Sequence, residues 1–111
     1  MAILATLNQN SSGFLWATLK NKDGEEAVPA SLSYWIACLT TGRIVRSETA
    51  ISPATATPEI HLTKNDNAII GASNRYETRR LTLRAVYDSD DELMDVYVWR
   101  VRNLHLAQTN Q

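Results

Sequence analysis

The residues most able to do chemistry are few in this chain and stand far apart. Neither His61 nor His105 is bracketed by Cys or Asp at the spacing of metal ligands. No G-x-S-x-G motif is present, so no hydrolytic triad is indicated. The single cysteine, Cys38, alternates with Tyr34 and Ile36, which is typical of a buried, unreactive thiol. We therefore predict no catalytic residue, no cofactor and no enzymatic activity.

A run of carboxylates from Asp88 to Asp95 is the one place where the sequence suggests a hard cation. Its members are Asp88, Asp90, Asp91, Glu92 and Asp95. Carboxylate oxygens are the ligands that Ca²⁺ prefers, but the run lacks the glycine and the distal glutamate of an EF-hand loop. Acidic hairpin turns are commonly only solvated. We predict no metal site, and a calcium site stays open as the alternative.

Arginine is concentrated near the end of the chain, where six arginines and no lysine lie between positions 75 and 102. Arginine favours interfaces, because its planar guanidinium pairs with carboxylates and its stem packs on aromatic rings. The alternative is a solvated face paired with local acids such as Glu77. Interleaved acids and a net charge of −1 argue against nucleic acid. The predicted protein-interface residues are Ile3, Leu4, Leu7, Arg80, Arg84, Arg100 and Arg102.

Two long predicted strands, 76–88 and 93–103, must position these arginines, with an acidic turn at 89–92. Side chains alternate along a strand, so one face is apolar and the other carries arginine. Pairing Tyr87 with Leu93 buries Trp99 and places Arg80 opposite Arg100. A one-residue slip would expose Trp99, so we prefer the pairing that buries the larger aromatic area.

The rest of the chain predicts short strands at 14–20, 31–39, 44–51 and 59–62, separated by turn residues. A single helical turn follows, with Thr63 as its N-cap and Asp66 in its first turn. This spacing predicts an all-β fold, an antiparallel β-sandwich. Tyr76 before the penultimate strand and the lack of a Cys…Trp…Cys frame favour an immunoglobulin or fibronectin III-like, disulfide-free type.

Length and composition predict one domain with a single core, since the chain has 111 residues, 44% hydrophobic and 21% charged. We place the sandwich domain at 14–104, after an N-terminal arm at 1–13 and before a C-terminal tail at 105–111. The arm is either flexible or an edge strand, and the tail is either frayed or a partner contact. No signal peptide or transmembrane stretch is recognisable, so we expect synthesis in a cytoplasm and no membrane partner.

Three segments carry a resemblance to a known group: YWIACLTTGRIV, SPATATPEIHLTKNDNAI and YETRRLTLRAVYDSDDELMDVYVWRVRNL. Over roughly residues 14–104 the chain resembles small β-sandwich structural proteins of tailed bacteriophages. The resemblance implies a virion protein made in the host bacterial cytoplasm, with a head decoration or cement role preferred. It also implies contacts with the major capsid or other virion proteins, as a homo-oligomer or as lattice-bound copies. It transfers no catalytic residue.

Two alternatives to a head decoration protein remain at this point. One is a tail or head–tail connector component, and the other is a generic fibronectin-like binding module for a carbohydrate or a host surface. Carbohydrate recognition usually needs exposed aromatic side chains in loops. Trp16, Trp35 and Trp99 all lie within predicted strands. This favours protein contacts, including addition of the apolar MAILATL segment to the sheet edge of a neighbour.

Overall fold

The computed structural model describes residues 3–107, which form a mainly β fold. The strands are β1 (Ile3–Asn8), β2 (Gly13–Trp16), β3 (Ser31–Cys38), β4 (Ile44–Ala50), β5 (Glu59–Leu62), β6 (Tyr76–Asp88) and β7 (Asp91–Arg102). A single 3-10 turn (Lys64–Asn67) precedes β6, and a four-residue helix, α1 (Leu104–Ala107), follows β7. The prediction of a mainly β chain with very little helix is confirmed. No helix within residues 3–107 is long and apolar enough to span a membrane.

The strands form two sheets of unequal width. The larger has five strands in the order β1-β7-β6-β3-β4, and the smaller pairs β2 with β5. All neighbouring strands are antiparallel except β1 and β7, which run parallel from Ile3↔Val98 to Asn8↔Arg102. The larger sheet is therefore mixed, whereas the sequence predicted antiparallel pairing throughout. Of the two alternatives for the N-terminal segment, the structure has the edge strand.

One hydrophobic core lies between the two sheets. The smaller sheet contributes Leu15, Ile60 and Leu62, and the larger sheet contributes residues such as Ile36 and Trp99. The side of the larger sheet that carries these residues is called its inner face below, and the opposite side its outer face. On the predicted apolar face of the β6–β7 hairpin, Trp99 and its neighbours along β6 are buried as expected, whereas Tyr87, Leu93 and Tyr97 are half-buried against the core. Apolar side chains at every second position leave each strand one face to bury.

The pairing within the β6–β7 hairpin differs from the predicted one by two residues. Leu93 lies opposite Ala85, and a bulge near Asp88 leads into a turn of only Ser89 and Asp90. The predicted Tyr87–Leu93 pair is therefore wrong. So is the predicted juxtaposition of two arginines, because Arg80 lies opposite Val98 and Arg100 opposite Thr78. A two-residue slip keeps every side chain on its own face, so the hydrophobic pattern does not distinguish the two pairings.

The segment between β5 and β6 follows the capping signal in its sequence. The Thr63 hydroxyl accepts a hydrogen bond from the Asp66 N–H, and the Asp66 carboxylate accepts one from the Thr63 N–H. This reciprocal capping box confirms the predicted start of the turn. The turn ends at Asn67, whereas the sequence predicted that it continues through Ile70, and Ala68 has an extended backbone. The first predicted strand is also shorter, since β2 ends at Trp16.

Candidate functional site

The outer face of the five-stranded sheet brings the predicted arginine residues together. Pairing across β3, β6 and β7 places Trp35, Thr82 and Val96 in one row, with Arg80 and Val98 in the next. Side chains of paired residues lie on the same side of a sheet. The four predicted arginines share this face with large apolar residues. Exposed apolar side chains on or beside it include Ile44 (64% exposed), Met94 (50%) and Val96 (40%).

The arginines of the outer face differ in how their charges are compensated. Arg84 donates to Glu92 at 2.7 Å and lies 4.0 Å from Glu48. The hydrogen bond to Glu92, and then its charge, raise the pKa of the Arg84 guanidinium. Arg100 lies over the ring of Tyr76, with 4.8 Å from its guanidinium carbon to the ring centroid.

Two further features show that part of the positive charge on the outer face is not paired with carboxylates. Within residues 3–107 the ion pairs include Arg84 but not Arg80, Arg100 or Arg102. The buried Nε of Arg80 also has no hydrogen-bond acceptor in the described part of the chain. Unpaired guanidinium groups beside exposed Met and Val are typical of surfaces that meet another protein.

Arg79 belongs to the inner face and has a different role. It is fully buried, and its Nη1 donates to Glu77 at 3.0 Å and to the Cys38 sulfur at 3.1 Å. Its other nitrogen atoms donate to the carbonyl oxygens of Asp66 and Ala68. Arg79 therefore fixes the segment between β5 and β6 to the large sheet. Cys38 is buried as predicted and accepts one of these hydrogen bonds.

Glu77 is buried with Arg79 and is not the surface counter-charge that the sequence suggested. Its carboxylate accepts hydrogen bonds from the N–H groups of Ile70 and Gly71 and from the Asn74 amide, at 2.7–2.9 Å. Burial by itself raises the pKa of Glu77, but these hydrogen bonds and the one from Arg79 outweigh it and lower the net pKa. Glu77 is thus held ionised inside the protein. Strand alternation places it beside Arg79 on the inner face, so the sequence itself contains this signal.

The carboxylates near the β6–β7 turn accept hydrogen bonds from different groups. Asp88 accepts from the Asp90 N–H, Asp91 from the Lys22 N–H, and Asp95 from the Tyr97 hydroxyl. Glu92 pairs with Arg84 on the outer face. Among residues 3–107 no group of three His, Cys, Asp or Glu side chains is placed to hold a metal ion. The carboxylates face different partners because neighbouring residues of a strand point to opposite sides.

An exposed aromatic row runs along the small sheet on its solvent side. Trp16 is 65% exposed and Phe14 is 53% exposed. The Phe14 ring stacks on Trp16 at 6.0 Å and on His61 at 4.9 Å between centroids. The indole Nε1 of Trp16 donates to Glu59 at 2.8 Å. Trp16 does lie in a strand, as predicted, but that location does not bury it, because alternation turns it outward. Trp35 is half-buried and Trp99 is buried.

A groove of about 290 Å³ opens beside this row, between β1 and β2. Its walls are mainly apolar, and they include Ala5, Leu7, Trp16 and Tyr97, with Trp99 below. Burial, followed by the hydrogen bond to Asp95, raises the pKa of Tyr97 to about 12. The sequence does not predict this groove, because its two walls are distant in the chain.

The three N-terminal residues predicted to lie at an interface have different outcomes. The side chains of Ile3 and Leu4 lie outside the described part of the structure. Leu7 is half-buried, packs against the core and lines the groove. Leu7 therefore makes contacts within its own chain.

Comparison with known proteins adds no assignment: no family model matches the chain, and neither a curated protein nor a solved structure matches it significantly.

Proposed function

We propose that this chain is a non-enzymatic structural protein that binds another protein through the outer face of its five-stranded sheet. The observation that carries the proposal is the mixed composition of that face. Exposed apolar side chains lie there beside Arg80, Arg100 and Arg102, which form no ion pair among residues 3–107. An interface core of this kind is depleted in lysine and enriched in arginine, methionine and aromatic residues. The partner that fits is a protein surface with carboxylates around an apolar patch.

We propose further that the partner is a virion protein of a tailed bacteriophage, with the major capsid protein preferred. The resemblance to phage structural proteins supports this assignment, and it favours a head decoration or cement role over a tail or connector role. Copies bound side by side on a lattice reinforce weak individual contacts through multivalency.

For the fold, we infer a β-sandwich of the immunoglobulin or fibronectin III type. Two β layers that share one core and a tyrosine at the start of β6 support that inference.

The test replaces the arginines of the outer face and measures binding to purified particles that lack this protein. The variant carries Arg80→Ser, Arg84→Ser and Arg100→Ser. Its matched control carries Lys20→Ser, Lys22→Ser and Lys64→Ser, which remove the same charge from the loops and the 3-10 turn. We expect the arginine variant to stay folded and to lose at least about tenfold in affinity, because several charge pairs are lost at once. The lysine control should bind like the wild type.

Different failures have different meanings. If mass spectrometry of purified virions does not detect the wild-type protein, the virion assignment is wrong. If the protein is present but the arginine variant binds like the wild type, the outer face is not the contact surface. Recovery in tail rather than head fractions would replace the decoration role with a tail or connector role.

A further inference from the structure

The two layers of the fold differ in width, and this leaves part of the inner face uncovered. The larger sheet has five strands, whereas the smaller sheet has only β2 and β5. β2 is therefore an edge strand on the side that faces β1 and β7. The apolar groove lies there, where a further strand of the small sheet would lie. At one end the groove is closed, since the Leu7 side chain lies 3.7 Å from the position that a side chain at Gly13 would take.

The main chain of β2 is oriented to accept such a strand. Beyond β2, the N–H groups of Ala17 and Leu19 donate to the carbonyl oxygens of Pro58 and Ala56, on the β5 side. In an antiparallel pair these hydrogen-bonded positions alternate with positions whose main-chain groups point away from the partner. The N–H and C=O groups of Phe14 and Trp16 consequently point to the groove. No strand of the described chain pairs with β2 on that side.

The chemistry of the groove limits what can fill it. Its mainly apolar walls favour apolar side chains, and the free edge of β2 favours an extended backbone. Two carboxylates stand beside its aromatic residues: Glu59, bound to Trp16, and Asp95, bound to Tyr97. These acids and the exposed Trp16 ring favour a cationic residue next to the apolar ones.

We propose that this groove binds an extended peptide segment of a partner protein, which adds to β2 as a third strand of the small sheet. The segment carries apolar residues at alternate positions, directed into the groove, and Lys or Arg at one flank. Because β2 has four residues, the segment that pairs with it is about four or five residues long. This site is independent of the proposed outer-face contact, which lies on the other side of the five-stranded sheet.

The experiment selects binders from a displayed library of random decapeptides and uses two variants that differ by one position on β1. Ala5→Trp fills the groove, because Ala5 lines it. Thr6→Trp places the same ring on the outer face, because Thr6 pairs with Arg100. We expect selected peptides to show alternating apolar residues with a basic flank. They should bind wild type and Thr6→Trp equally, and bind Ala5→Trp at least about tenfold more weakly.

A synthetic copy of a selected peptide provides the second measurement. Methylation of its backbone nitrogen atoms at alternate positions removes donors to the β2 edge without changing its side chains. Two peptides are compared, one methylated at the odd positions and one at the even positions. We expect one of them to lose binding and the other to bind nearly unchanged, because only every second N–H group faces β2. Amide resonances of Phe14 and Trp16 should shift on binding of the unmodified peptide.

The proposal is overturned if no selected peptide distinguishes Ala5→Trp from Thr6→Trp. It is also overturned if the peptides have apolar residues at helical spacing, or if both methylated peptides bind like the unmodified one. Self-association of the wild type that Ala5→Trp abolishes would identify a second copy of this chain as the occupant, in place of a partner peptide. If no peptide binds the groove but oligosaccharides do, the groove is a carbohydrate site.

Discussion

The buried pair of Glu77 and Arg79 is the feature at the residue scale that most affects stability. Both side chains are inaccessible to solvent, and each of their charged nitrogen and oxygen atoms takes part in at least one hydrogen bond. A buried ion pair adds little compared with apolar residues of the same size. Removal of one partner is costly, however, because the remaining charge is left in the interior. The pair therefore specifies where the segment after the 3-10 turn lies.

Glu77→Gln tests this role against a matched change on the surface. We expect Glu77→Gln to lower the free energy of unfolding by about 3 kcal/mol at neutral pH, because the Arg79 charge loses its partner. Glu92→Gln breaks the exposed pair with Arg84 and should leave stability unchanged within error. Urea denaturation followed by fluorescence measures both. Equal effects of the two substitutions would contradict the structural role of the buried pair.

The lowered pKa of Glu77 predicts that the effect of Glu77→Gln on stability depends on pH. The pKa of Glu77 is lower in the folded protein than its ordinary value of 4.5. Its contribution to stability is therefore present above that value and is lost as the pH falls through the lower pKa of the folded state. We expect the wild-type protein and Glu77→Gln to converge in stability as the pH is lowered below about 4.5. A constant difference between them down to pH 2 would contradict the lowered pKa.

At the scale of elements, the β6–β7 hairpin decides which residues meet on the outer face. Its pairing places Arg100 opposite Thr78, and Arg80 opposite Val98. The arginines of the two strands are thus offset along the sheet, and each has a smaller neighbour across the strands. This offset removes the direct repulsion that the predicted pairing would have produced.

Engineered disulfides distinguish the two pairings. Thr78→Cys with Arg100→Cys joins residues that face each other in the structure, whereas Arg80→Cys with Arg100→Cys joins those of the predicted pairing. The Asn103 N–H donates to the Arg75 carbonyl, so Thr78 and Arg100 occupy a non-hydrogen-bonded pair, where side chains are closest. With Cys38→Ser in both proteins, we expect air oxidation to cross-link only the first pair. Mass spectrometry after alkylation measures it, and cross-linking of the second pair alone would contradict the structure.

At the scale of the whole molecule, the fold is an elongated body of 53 × 24 × 21 Å with its core between the two sheets. The outer face and the groove lie on opposite sides of the five-stranded sheet. The two proposed contacts therefore use separate surfaces. The core itself includes a polar contact, since the Trp99 Nε1 donates to the buried Asn67 side chain at 2.8 Å.

Tryptophan substitutions separate the core from the surface. Trp99→Phe keeps most of the ring but leaves the Asn67 oxygen without its donor, and we expect a loss of about 1–3 kcal/mol. Trp16→Phe changes a mostly exposed ring and should alter stability by less than about 0.5 kcal/mol. Denaturant unfolding followed by circular dichroism measures both. A small effect at Trp99 would mean that the core is not arranged around this ring.

The sequence by itself determined the faces of the strands and the kind of elements. Alternation of apolar residues predicted that Trp99 is buried and that Arg80, Arg84, Arg100 and Arg102 share the other face. The Thr63 cap was also readable, because it depends on residues only three positions apart. Period-two patterning and capping are local properties, so a single chain segment contains them.

Only the tertiary structure decided which residues meet across the chain. The hairpin pairing, the parallel addition of β1 to β7 and the groove between β1 and β2 depend on contacts between distant segments. A slip of two residues preserves every local pattern, so packing and turn geometry had to select the pairing. Alternation along the strands sets which face carries Trp16 and which carries Glu77, but the packing of the layers decides that the first is exposed and the second is buried. Whether a given face is covered depends on the width of the layer above it, which no segment of the sequence specifies.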